Sequence, residues 1–174
     1  MAFLNKVNAL VGTGLFQDFH RIVERAKFDS ISFRENFSSV LVGKVFASRI
    51  ASLIHLQTKY WHIRPLCCSL FLATINLGIP ELYILTQTGQ YLKCFSGSLG
   101  EKSEIFKITI DKLSEAQVTC RESIQEIFRL FKKAKKEIDY RYLEVLCFSM
   151  DNLCFKTPIS CNLMIEVNRR FLVI

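Results

Sequence analysis

Histidine and cysteine are the side chains of this sequence best suited to chemistry, and they are few. The histidines are His20, His55 and His62, and the seven cysteines are Cys67, Cys68, Cys94, Cys120, Cys147, Cys154 and Cys161. The densest group is His62 with Cys67 and Cys68, preceded by His55. A structural zinc ion takes four tetrahedral ligands, usually from Cys-x-x-Cys pairs. No such pair occurs, and adjacent cysteines rarely both reach one ion. Buried thiols are the expectation, with no metal and no cofactor. Cys147, Cys154 and Cys161 recur at a helical interval, but Asn152 and Pro158 interrupt any one helix carrying them. Asp18 stands close to His20 without a serine or cysteine in a nucleophile elbow. Gly12 and Gly14 lack the Gly-Lys-Ser/Thr of a phosphate loop. Catalytic residues are therefore expected to be none, with no small-molecule substrate.

Surface recognition has more to draw on. Lys59, Tyr60, Trp61 and Arg64 combine cations with amphipathic rings, the composition found at a bilayer interface. Arg129, Lys132, Lys133 and Lys136 share one face of an amphipathic stretch. They read as a basic patch or, more simply, as a solvated helix end favoured by the helix dipole. Gly43, Ala47 and Ala51 recur every fourth residue, a spacing that lets another backbone approach a helix closely.

The elements that would position these residues read mainly as helices. Leu4, Val7, Leu10, Leu15, Phe19, Ile22 and Val23 suggest a first helix over 3–28, broken near Gly12-Thr13-Gly14. Ser32-Phe33-Arg34-Glu35 matches a capping box, which predicts a second helix over 33–60. Its apolar stripe is Leu41, Val42, Val45, Phe46, Ile50, Leu53 and Ile54. From Pro65 to Pro80 no side chain is charged. As a helix, 66–85 is about long enough to cross ~30 Å of hydrocarbon. Glu81, Asn76, Gly78 and Pro80 make insertion marginal, and a buried helix over 65–77 fits about as well.

Two segments at 82–95, separated by Thr88-Gly89, suggest a β-hairpin, with a helix starting at Pro80 as the rival. A polar loop follows at 96–103. Phe106, Ile110, Leu113, Gln117, Cys120, Ile124, Ile127, Phe131, Ala134 and Ile138 then alternate steps of four and three, the seam of a long packed helix. Over 105–111 a period-two pattern competes with it. The segment 140–150 is open to helix or strand, and a terminal hairpin is expected around Asn168-Arg169.

The 174 residues fit one domain, and 50% hydrophobic residues with 22% charged exclude disorder along the whole length. Mean hydropathy is +0.23 and the net charge is +7, which favours anionic partners. The expected fold is mainly α-helical with a small β-hairpin, the alternative being α+β with a short antiparallel meander between two helical parts. One domain, 1–174, is expected, divisible into 1–95 and 104–174 around the loop 96–103. The expected function is a non-catalytic, membrane-associated helical interaction protein with a protein partner. The alternative is a soluble α-rich domain that binds an acidic protein or nucleic acid through its basic helix. Nucleic acid is the weaker case, because no aromatic side chains interleave the cations. The N-terminus lacks the features of a secretory signal, and the expected location is cytoplasmic or the cytosolic face of a membrane.

Overall fold

A computed structural model describes residues 1–5, 7–101, 103–115, 120–134, 144–148, 154–158 and 172–173. The chain divides into two compact units, Met1–Cys94 and Phe95–Ile174.

The first unit is a five-stranded antiparallel sheet with two helices. Its strands are β1 (Ala2–Phe3), β2 (Asn8–Gly14), β3 (Cys68–Asn76), β4 (Ile79–Leu85) and β5 (Tyr91–Cys94). They lie side by side in that order. The helices α1 (Phe16–Phe37) and α2 (Gly43–Lys59) form the long connection between β2 and β3. One set of alternating sheet residues, Leu10, Leu70, Leu72, Tyr83 and Leu85, packs with Ile22, Val23 and Ala26 of α1 and Phe46, Ile50 and Ile54 of α2. Residues on the intervening positions, Ala9, Phe71, Ala73, Ile75 and Leu82, are also buried.

The mainly helical expectation is therefore overturned: the fold is α/β, built on the five-stranded sheet. Residues 8–14 are a strand rather than a helix. They pair with β3 along their whole length, from Asn8 opposite Thr74 to Gly14 opposite Cys68. The uncharged run is also a strand. β3 lies at the centre of the sheet with residues of both orientations buried, so apolar side chains fill consecutive positions from Leu70 to Ala73 rather than every second one. Such a strand has lost the alternation that marks an exposed one.

The expected boundary between helices 3–28 and 33–60 is absent because α1 runs through it to Phe37, placing Ser32 and Glu35 inside a helix rather than at its start. Ser38 ends α1 in the left-handed conformation, φ 51°, with its N–H donating to the Arg34 carbonyl at 2.8 Å. α2 begins only at Gly43. The hairpin expected over 82–95 exists as β4 and β5, with Leu82 opposite Cys94, but these are two of five strands. β3 and β4 are joined by a two-residue turn, Leu77-Gly78, both with positive φ as a tight hairpin demands.

The second unit holds α3 (Ser103–Glu115) and α4 (Cys120–Ala134), with strands β6 (Glu144–Phe148), β7 (Cys154–Pro158) and β8 (Leu172–Val173) in the order β7-β6-β8. Over 105–111 the helical period wins. Of the long helix drawn through Phe106 to Ile138, the described residues are helical throughout, as α3 and α4. Gln117 and Ile138 lie outside the described residues, as does the terminal hairpin around Asn168-Arg169. Cys147 and Cys154 sit on β6 and β7, in a register that places Cys147 opposite Phe155.

Candidate functional site

One end of the first unit gathers the residues best placed to act. There β2 runs into α1, and the loop after α2 runs into β3. Two tethers hold these segments together. The Leu15 N–H donates to the Cys67 carbonyl at 3.0 Å. Asp18, in the first turn of α1 and almost fully buried, accepts from Arg64 Nη1 at 2.9 Å, from Arg64 Nη2, and from the Cys67 N–H at 2.8 Å. The Arg64 guanidinium, then the Cys67 N–H, hold the Asp18 carboxyl below its ordinary range against the effect of burial. Its place in the first turn of a helix also suits a negative charge.

Gly14 permits this closure. Its φ is +124°, and a Cβ there would stand 2.2 Å from the Cys67 carbonyl oxygen.

Around the tethers lie large exposed side chains. Trp61 is 97% exposed and Phe16 76%, with Leu15 and Tyr60 about half exposed. Phe16 stacks on His20 at 6.2 Å, and Tyr60 and Trp61 each approach His62 at 5.7 Å. His20 also faces Glu24 at 3.2 Å. Tyr60, Trp61 and Arg64 lie on the loop between α2 and β3, and Lys59 is the last residue of α2. Asp18 was legible only as a neighbour of His20; its pairing with Arg64, 46 positions on, had no local signal.

The other groups singled out in the sequence fall elsewhere. Gly43, Ala47 and Ala51 are buried along α2. At Gly43 the helix start approaches the sheet so closely that a Cβ would lie 2.8 Å from Glu81 Oε2. Burial alone would raise the Glu81 carboxyl, but Lys93 Nζ at 2.7 Å and the Tyr83 hydroxyl at 3.0 Å outweigh it and lower it. Lys44 and Arg49 are exposed, with Arg49 over the Phe33 ring at 5.3 Å. Arg129 on α4 pairs with Glu126. Lys132 and Lys133 belong to α4, and Lys136 lies outside the described residues.

His55 meets the Thr88 carbonyl at 3.3 Å, away from His62. Cys67 is exposed, while Cys68 is buried in β3 and its thiol is pushed up to about 11 by that burial. Among the described residues no cluster of three or more His, Cys, Asp or Glu is placed to hold a metal ion. Nor, among them, is any helix long and apolar enough to cross a membrane.

This geometry defines an α/β protein whose charged side chains join its elements, with exposed aromatic residues on the start of α1 and the loop after α2. A family model for the proteasome subunit matches residues 3–145, so the chain belongs to the proteasome subunit family. It is 34% identical over 123 residues to proteasome subunit alpha type-3 of Oryza sativa subsp. japonica, covering 71% of this chain and 49% of that protein. The alpha type-3 subunit of Arabidopsis thaliana is 30% identical over 132 residues, covering 76% and 53%. A proteasome subunit alpha of Thermococcus sibiricus is 22% identical over 148 residues, covering 85% and 56%. The chain spans about half the length of the curated relatives it matches. The expected membrane-associated helical interaction protein is overturned on both counts. The segment meant to cross the bilayer, 66–85, holds strands β3 and β4 of a sheet, and the family is that of a proteasome subunit. Neither a membrane nor a nucleic-acid partner finds support in these relatives.

Proposed function

We propose that the chain is a non-catalytic, structural subunit that assembles with other proteasome subunits into a soluble cytoplasmic particle. The observation that carries this reading is the family match over most of the chain, together with relatives named as alpha-type subunits. The side chains of the first unit agree with it. A nucleophilic cysteine needs a lowered thiol pKa, whereas burial raises both Cys68 and Cys94. The Asp18 and Glu81 carboxylates are engaged by Arg64 and Lys93, joining one element to the next. Exposed apolar residues remain for subunit contacts, among them Phe28, Ile31 and Phe37 on α1.

Density-gradient sedimentation of the epitope-tagged chain from cells that make it tests the reading. The tagged chain is expected in the same heavy fractions as proteasome subunits. A chain found only in the light fractions, with intact particles in the heavy ones, refutes it.

A further inference from the structure

Beside the second half of α1 the fold leaves a cavity of about 320 Å³, walled by three segments of the first unit. Leu4 and Asn5 come from the turn between β1 and β2, Ser30, Ile31 and Arg34 from one face of α1, and Val40 from the connection to α2. These walls are tied to one another. Asn5 Nδ2 donates to the Ser30 hydroxyl at 3.0 Å, which joins the turn to the helix. The fully buried Asn8 joins the turn to the connection: its carbonyl accepts the Leu4 N–H at 3.0 Å, and its Nδ2 donates to the Leu41 carbonyl at 2.7 Å. A ligand entering this space has little left to order.

The polar part of the wall consists of donors. Asn5 Oδ1 is taken by the Val7 N–H at 3.0 Å, so the wall still offers the second Nδ2 hydrogen of Asn5 and the hydroxyl hydrogen of the mostly buried Ser30. Arg34 adds a guanidinium that makes no ion pair among the described residues. No described carboxylate lines the cavity. Asp29 is turned to Arg25, and Glu35, beside Arg34 in the chain, is exposed and outside the lining. The rest of the wall is apolar, with Ile31 and Val40 each about half exposed.

We propose that this cavity binds a compact apolar monocarboxylate of about ten to fifteen heavy atoms. The planar Arg34 guanidinium takes the carboxylate through paired N–H donors, Ser30 and Asn5 add uncharged ones, and the apolar body lies on Leu4, Ile31 and Val40. One cation with two neutral donors matches a single negative charge. A phosphate is met by a cluster of arginines, and the described wall holds one. The inference is independent of the assembly reading.

The full chain, isotope-labelled, is titrated with hydrocinnamate while its backbone amides are followed by NMR. Saturable shifts are expected at the lining residues of the turn, of α1 and at Val40, with a Kd on the order of 1 mM for a ligand of this size. Hydrocinnamamide, the same shape without the charge, should bind about tenfold more weakly, and Arg34→Gln should bind the acid about tenfold more weakly. Lys44→Gln, which removes an exposed cation of α2 outside the lining, should bind as wild type does. Shifts confined to other residues, equal binding of acid and amide, tighter binding of inorganic phosphate, or unchanged binding by Arg34→Gln overturns the inference. So does a lack of saturable shifts at about ten times the expected Kd. Should Arg34→Gln fail to fold, the comparison of acid with amide on the wild-type chain decides alone.

Discussion

Asp18 joins the start of α1 to the strand that follows α2, and its charge is what makes that joint. Its folded-state pKa is depressed, by the Arg64 guanidinium first and the Cys67 N–H second. A carboxylate depressed on folding adds stability above its unfolded pKa of about 3.9, and that stability is lost as pH falls through the lower folded value. Asp18→Asn is expected to cost about 1–3 kcal/mol at pH 7, the range for hydrogen bonds to a charged group. Thermal melts of wild type and variant between pH 7 and pH 3 should converge as the pH drops below about 4. A gap that stays constant down to pH 3 would show that the charge is not what stabilises the joint. The thiol of Cys68 offers no comparable switch, since a thiol is protonated through the same range even in water and burial raises it further.

At the scale of elements, α2 has one buried face on the sheet, which sets Phe46 against its neighbour Val45. Phe46 is fully buried and Val45 about half exposed. Phe46→Ala should cost about 3–5 kcal/mol in urea denaturation, and Val45→Ala no more than about 0.5. Comparable losses at both would mean the helix packs by another face. Amide hydrogen exchange should likewise be slowest in β3, paired along both edges, and fastest among the strands of this sheet in the short edge strands β1 and β5. Uniform exchange across the five strands would contradict that order.

Of the helix expected over 33–60, the part that is α2 was readable because only one face of it is buried, and Phe46, Ile50 and Ile54 kept their spacing, while the break between Phe37 and Gly43 was not. The β4–β5 hairpin was readable from the strand formers on either side of Thr88-Gly89. β3 was not, because a strand buried on both orientations has no alternation to detect, and together with β4 it makes an apolar stretch about as long as a membrane helix. β2 was hidden differently. Leu4, Val7 and Leu10 also satisfy a helical step, and only long-range pairing with β3 decides the matter. The Asp18–Arg64 joint spans the whole α1–α2 connection, a separation that no local pattern encodes. Lys59, Tyr60, Trp61 and Arg64 were legible as neighbours in the sequence, while the end of α2 and the loop into β3 that carry them were not.

For the whole molecule, family and fold agree on an α/β subunit, and the assembly it enters is the central claim. Particles are purified through an epitope tag on this chain and weighed intact by native mass spectrometry, then dissociated to name their subunits. The account predicts a large assembly in which the tagged chain accompanies proteasome subunits at a fixed stoichiometry. Recovery of the tagged chain alone, while untagged particles from the same cells are complete without it, would contradict the account.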